Sequence, residues 1–100
     1  MEQKRKQTIL IADDSEINRS ILVDILGDEY DILEAEDGVQ AVAAIRKHLA
    51  EIDLVLLDIV MPEMDGFEVL TVMNRNNWIE DIPVIMISAE TAPAHIERAY

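Results

Sequence analysis

The sequence predicts an α/β domain built on a doubly wound parallel sheet, with four strands in the order 2-1-3-4. Three observations predict it. Ile9–Ala12, Leu54–Leu57 and Val84–Ile87 are short, unbroken apolar runs, as expected of parallel strands covered by helices on both faces. The segments between them carry apolar residues at helical spacing. Strands and helices alternate as βαβαβαβα, and right-handed crossovers turn that alternation into a single wound sheet.

Each element has its own signal. The first strand is Ile9–Ala12. In the first helix, Ser15–Leu26, the residues Ile17, Ile21, Leu22, Ile25 and Leu26 form one expected buried stripe, and Gly27 follows as a stop. Tyr30–Ala35 is strand-like, but Asp31 and Glu34 interrupt it, which suits an edge strand with one wetter side. The second helix is expected over Asp37–Ala50, with Val42, Ile45 and Leu49 inward and Asp37 and Gln40 spaced as a variant capping box. After the third strand, a helix from Asp65 or Gly66 to about Asn74 is expected to bury Phe67, Leu70 and Met73. Asn76-Asn77 ends it, Trp78 covers the approach to the fourth strand, and Pro83 opens that strand. Thr91 is placed to cap a fourth helix containing Ile96 and Ala99, with Pro93 tolerated in its first turn.

Composition narrows the function classes. The 100 residues suffice for one domain with a real core, and half of them are hydrophobic. No apolar run is long enough to span a bilayer, and the start lacks the core of a signal peptide, so a cytoplasmic location is expected. The absence of cysteine rules out disulfides, thiolate metal sites and cysteine nucleophiles. Twenty-one acids against eight Lys and Arg leave a net charge of −13. Such a surface repels phosphate backbones and anionic lipid, so no direct binding of nucleic acid or membrane is expected. Residues 1–7, with Lys4, Arg5 and Lys6, are expected as a basic solvated tail, and His48 and His95 as surface residues.

Open α/β sheets bind ligands beyond the carboxyl ends of their strands, where the chain reverses direction. The residues there are Asp13 and Asp14 after the first strand, Asp58 after the third and Ser88 after the fourth. Taken singly, each has an ordinary explanation as a cap or a strand-end polar group. The topology gathers them on one rim. Carboxylates so close repel each other unless a cation neutralises them, and a hard, oxygen-seeking ion such as Mg²⁺ suits them. A carboxylate beside such an ion can attack phosphorus and form an aspartyl-phosphate, and a neighbouring hydroxyl can donate to a phosphoryl oxygen. These residues therefore describe a phosphoryl-accepting site.

Asp13-Asp14, Asp58, the loop Met61-Pro62-Glu63-Met64-Asp65-Gly66 and Ser88-Ala89, each in register with an expected strand, resemble the receiver domain of bacterial two-component response regulators. The resemblance runs from about Thr8 to the last residue and implies a flavodoxin-like fold. It implies that Asp58 accepts a phosphoryl group from a phosphohistidine on a sensor histidine kinase or phosphotransfer protein. Asp13 and Asp14 would hold Mg²⁺ together with Asp58 and the backbone carbonyl of Val60, and Ser88 would be the switch hydroxyl. Such a domain catalyses only its own phosphorylation and dephosphorylation, and passes the signal to a partner or an output domain beyond the chain. Pro62 rigidifies the loop, and Gly66 supplies permissive backbone at the turn into the third helix.

The resemblance also implies a fifth strand ending in a lysine, and a fifth helix. The sequence reaches Tyr100 without them, and no lysine follows Lys47. Residues 8–100 are thus expected to be a C-terminally incomplete receiver, more readily a fragment of a longer regulator than a naturally short chain. Its fourth strand would be an open edge, inviting pairing with a second copy or segment swapping. Two other readings fit the same residues. One is a degenerate receiver serving only interaction or dimerisation. The other is a Mg²⁺-dependent phosphatase of the haloacid-dehalogenase type, whose nucleophile would lie after the first strand in a D-x-D pattern that Asp13-Asp14-Ser15 does not match.

Overall fold

Alternating inward and outward side chains on two central strands divide the core into two layers. The computed structural model describes residues 6–87. These form β1 (Thr8–Ala12), α1 (Glu16–Leu26), β2 (Asp31–Ala35), α2 (Gly38–Lys47), β3 (Ile52–Asp58), α3 (Gly66–Arg75), a 3-10 turn (Trp78–Glu80) and β4 (Val84–Ile87). The strands pair in parallel in the order β2-β1-β3-β4, as the sequence predicts. The expected fourth helix, with Thr91, Pro93, Ile96 and Ala99, lies outside the described residues, as do His95 and Tyr100.

On one face Leu10 and Ala12 of β1 and Val55 and Leu57 of β3 meet Ala41 and Ile45 of α2 and Val69 and Met73 of α3. On the other face Ile9, Ile11 and Leu56 meet Leu22, Val23 and Leu26 of α1. This period-two division is what strands covered on both sides require. Each fully buried aliphatic side chain contributes about 1.5–3 kcal/mol of transfer free energy, so these layers hold the sheet against its entropy cost. One irregularity marks the start of the sheet. β1 slips by a residue against β3 at Thr8, and the Asp53 carboxylate accepts the Thr8 N–H at 2.8 Å there.

The helices begin where capping side chains stand. Ser15 Oγ accepts the Asn18 N–H at 3.2 Å, and Asp37 Oδ1 accepts the Gln40 N–H at 2.8 Å. Asp65 and Glu68 form a full capping box at the start of α3. Gly27 caps α1 with ordinary right-handed backbone. At the far end, the Arg46 guanidinium lies over the Trp78 ring, 5.4 Å from its centroid, tying α2 to the turn before β4.

Three packing expectations are corrected. Ile17, Ile21 and Ile25 of α1 are exposed, at 73%, 51% and 66%, and only Leu22 and Leu26 of the expected stripe pack on the sheet. The buried sector of α1 is centred one step around the helix and includes Arg19, whose charge disguised it. Phe67 is exposed, and Val69 takes the inward position beside Met73. α2 ends at Lys47 with His48 as its cap, so Leu49 falls in a turn and is exposed too. β2 is an edge strand with Asp31 and Glu34 exposed, as expected. β4 is the other edge among the described residues, and its Ile85 is half exposed.

Candidate functional site

The two central strands end side by side. β1 gives way to Asp13 and Asp14, and β3 closes on Asp58. One carboxylate oxygen from each of the three lies within 4.8 Å of the others. Asp13 and Asp58 are buried, and Asp14 opens to solvent at the mouth. The convergence expected from topology is therefore present for all three residues.

Asp13 is held by its own backbone. Its N–H donates to the Ala35 carbonyl of β2 at 3.1 Å, and its Oδ1 accepts the Ser15 N–H at 2.8 Å. Arg19 completes the turn: Nη1 donates to the Asp13 carbonyl oxygen at 2.8 Å, while Nε pairs with Glu34 Oε1 at 3.0 Å. The sequence reading missed Arg19. The available signal was a cation set among Leu22, Val23 and Leu26 at helical spacing, where a purely structural helix would carry an apolar residue.

Burial, then the neighbouring charge of Asp13, pushes the Asp58 carboxyl up from 3.8 to about 6. Hydrogen bonds from the backbone of Val60 and Ile59 pull it partly back, and Asp14 adds a smaller upward push. Val60 lies in the loop two residues past Asp58 with its side chain half exposed. At Asp58 the sheet is still paired: Ile87 of β4 stands opposite it, and the Ile59 N–H donates to the Ile87 carbonyl at 3.0 Å. Ser88 lies outside the described residues.

The loop from Ile59 to Asp65 folds back over the strand end. The Gly66 N–H donates to the Ile59 carbonyl at 2.9 Å, and a Cβ at Gly66 would overlap the Asp58 carbonyl oxygen. Gly66 is thus required for close approach and not, as expected, for unusual backbone, since the described glycines have no positive φ. Gly38 plays the same part against the Met64 carbonyl, which seats the loop on the start of α2. The left-handed residue in this loop is Glu63, at φ 68°.

The donor set suits a hard divalent cation. It offers carboxylate oxygens, two of the three residues being buried, and a cation among them would offset both the burial and the mutual repulsion that lift Asp58 toward neutrality. The family model of the response regulator receiver domain matches residues 9–100. The chain belongs to the response regulator receiver domain family. The receiver is 42% identical over 93 residues to a probable cyclic di-GMP phosphodiesterase of Vibrio cholerae, covering 93% of this chain and 21% of that protein. It is 30% identical over 91 residues to the DNA-binding response regulator MtrA of Mycobacterium bovis, covering 91% of this chain and 38% of that protein. The chain therefore spans about a fifth to two-fifths of the length of these curated relatives. Among solved structures it superposes with a TM-score of 0.75 and 35% identity on a chain of the CheX-CheY-BeF3-Mg complex of Borrelia burgdorferi. That match covers 91% of the receiver and 68% of the other chain. Receiver domains are signalling domains of two-component systems, and none of the described helices is long and apolar enough to cross a membrane.

Proposed function

We propose that this receiver takes a phosphoryl group from a phosphohistidine of a sensor histidine kinase or phosphotransfer protein onto Asp58. The observation that carries this reading is the buried Asp58 carboxylate with Asp13 and Asp14 within 4.8 Å of it. Above its pKa of about 6 the Asp58 carboxylate is an anion and can act as a nucleophile. One of its oxygens bonds to phosphorus as the nitrogen–phosphorus bond of the donor breaks, and the imidazole leaves with that electron pair. Asp13, Asp14 and Asp58, with the carbonyl of Val60, are the residues that would hold Mg²⁺. When bound, that ion offsets the charge of the incoming phosphoryl group. Ser88, the residue after β4, would donate its hydroxyl to a phosphoryl oxygen.

The domain modifies only itself and acts by presenting a changed surface to a partner or an output domain. Its net charge of −13 favours a basic protein surface as partner over nucleic acid or anionic lipid, and a cytoplasmic location suits that role. A second reading, association without phosphotransfer, draws on the exposed Ile17, Ile21, Ile25 and Ile85. Intact mass after incubation with Mg²⁺ and acetyl phosphate separates the two. Phosphotransfer predicts one phosphoryl adduct that needs Mg²⁺ and is lost in Asp58→Asn. An unmodified wild-type mass at saturating donor and Mg²⁺ leaves the association reading.

A further inference from the structure

We propose that Arg19 is a positioning residue that holds Asp13 and Asp14 in place for the cation, a role that rests on the Mg²⁺ reading above. Arg19 is the buried residue of α1, 8% exposed, and it reaches the backbone of Asp13, one of the three clustered acids. A buried cation is costly unless paired and hydrogen-bonded, so its presence there calls for a specific return. Its planar fork meets two partners at once, the Asp13 carbonyl oxygen at 2.8 Å and Glu34 Oε1 at 3.0 Å.

Those partners belong to different elements. Asp13 starts the turn that carries both acids, and Glu34 belongs to the neighbouring strand β2. Together with the Asp13 N–H on Ala35 and the Ser15 N–H on Asp13 Oδ1, the guanidinium fixes the donor, the acceptor and the side chain of one residue. That restraint opposes a definite force. Three carboxylates within 4.8 Å repel one another, and Asp14, exposed at the mouth, is free to swing outward if the turn loosens. Arg19 acts through the backbone of Asp13 and need not touch the ion.

The test uses the full chain with Arg19→Met and Arg19→Lys. Mg²⁺ affinity is measured calorimetrically at pH 7.5, and amide exchange by NMR at Ser15 and in the β3 core. Arg19→Met is expected to weaken Mg²⁺ binding by about tenfold, the usual effect of losing a group that orients metal ligands. It should also speed exchange of the Ser15 amide while leaving the β3 amides protected. Arg19→Lys, which keeps the charge but not the fork, should recover part of the affinity. Wild-type affinity in a folded Arg19→Met chain overturns the proposal, and so does a loss matched by equal loosening of β3. If Arg19→Met does not fold, Glu34→Gln and Arg19→Lys decide by the same two readouts. If the wild type itself binds no Mg²⁺, the proposed function fails, and local exchange at Ser15 alone then decides the role of Arg19.

Discussion

Asp58 ionises at a cost in the folded chain, because burial and the Asp13 charge raise its carboxyl from 3.8 to about 6. The folded state therefore holds this proton more tightly than the unfolded state does. Between about pH 4 and pH 6 the folded chain keeps the proton while the unfolded chain has released it, so this contribution to stability falls as pH rises and is fully lost above about 6. Asp58→Asn removes the effect. In EDTA at pH 7.5 the variant should be more stable than wild type by about 1–2 kcal/mol, less than the unscreened conversion because water reaches the pocket mouth. The difference should shrink as pH falls through about 6 and vanish only well below the unfolded value of 3.8, which urea unfolding of both chains over that range checks. Asp13, Asp14 and Asp58 were legible in the sequence because each stands where a predicted strand ends, and the strand order brings those ends together. Arg19 was harder to read, because its partners are a backbone carbonyl and a glutamate on another strand, and the trace it leaves is a cation among the inward positions of α1.

Elements were legible where a side chain caps them or an apolar run fills them, as at Ser15, Asp37 and the three strand cores. Faces of helices were harder. Ile17, Ile21 and Ile25 form as good a stripe as Leu22, Val23 and Leu26, and the two sectors adjoin on one helix. Only the packing against Ile9, Ile11 and Leu56 tells them apart. The observed face makes a prediction by substitution. Ile21→Lys should change the unfolding free energy by no more than about 0.5 kcal/mol, as surface changes do. Leu22→Ala should cost about 1–2 kcal/mol, below the loss at a fully buried site. Thermal or urea unfolding checks both, and the reverse ranking would restore the stripe first expected. Phe67 escaped prediction for a related reason, since a large apolar residue at the start of a helix satisfies the pattern whether it faces inward or toward solvent.

At the scale of the molecule, charge sets the response to ions. A net charge of −13 destabilises the folded chain by self-repulsion, which salt screens. NaCl should therefore raise the melting temperature. MgCl₂ at the same ionic strength should raise it further, since an ion bound only by the folded state adds its binding free energy to stability. Asp14→Asn should erase that surplus while keeping the response to NaCl; equal effects of the two salts would mean that the acids share no bound ion. Topology was the most legible property of all, because the strand runs, their order and their crossovers follow from spacing along the chain. The half exposure of Ile85 on β4 was not, because an unbroken apolar run reads the same on an edge strand as on a covered one.

The most direct test is to locate the phosphoryl group. Borohydride reduction of the acetyl phosphate-treated chain converts an aspartyl-phosphate to homoserine, which peptide sequencing by mass spectrometry then places. The account predicts homoserine at position 58 and nowhere else, formed only with Mg²⁺ present. Homoserine at position 13 or 14, or none at any position, would contradict it.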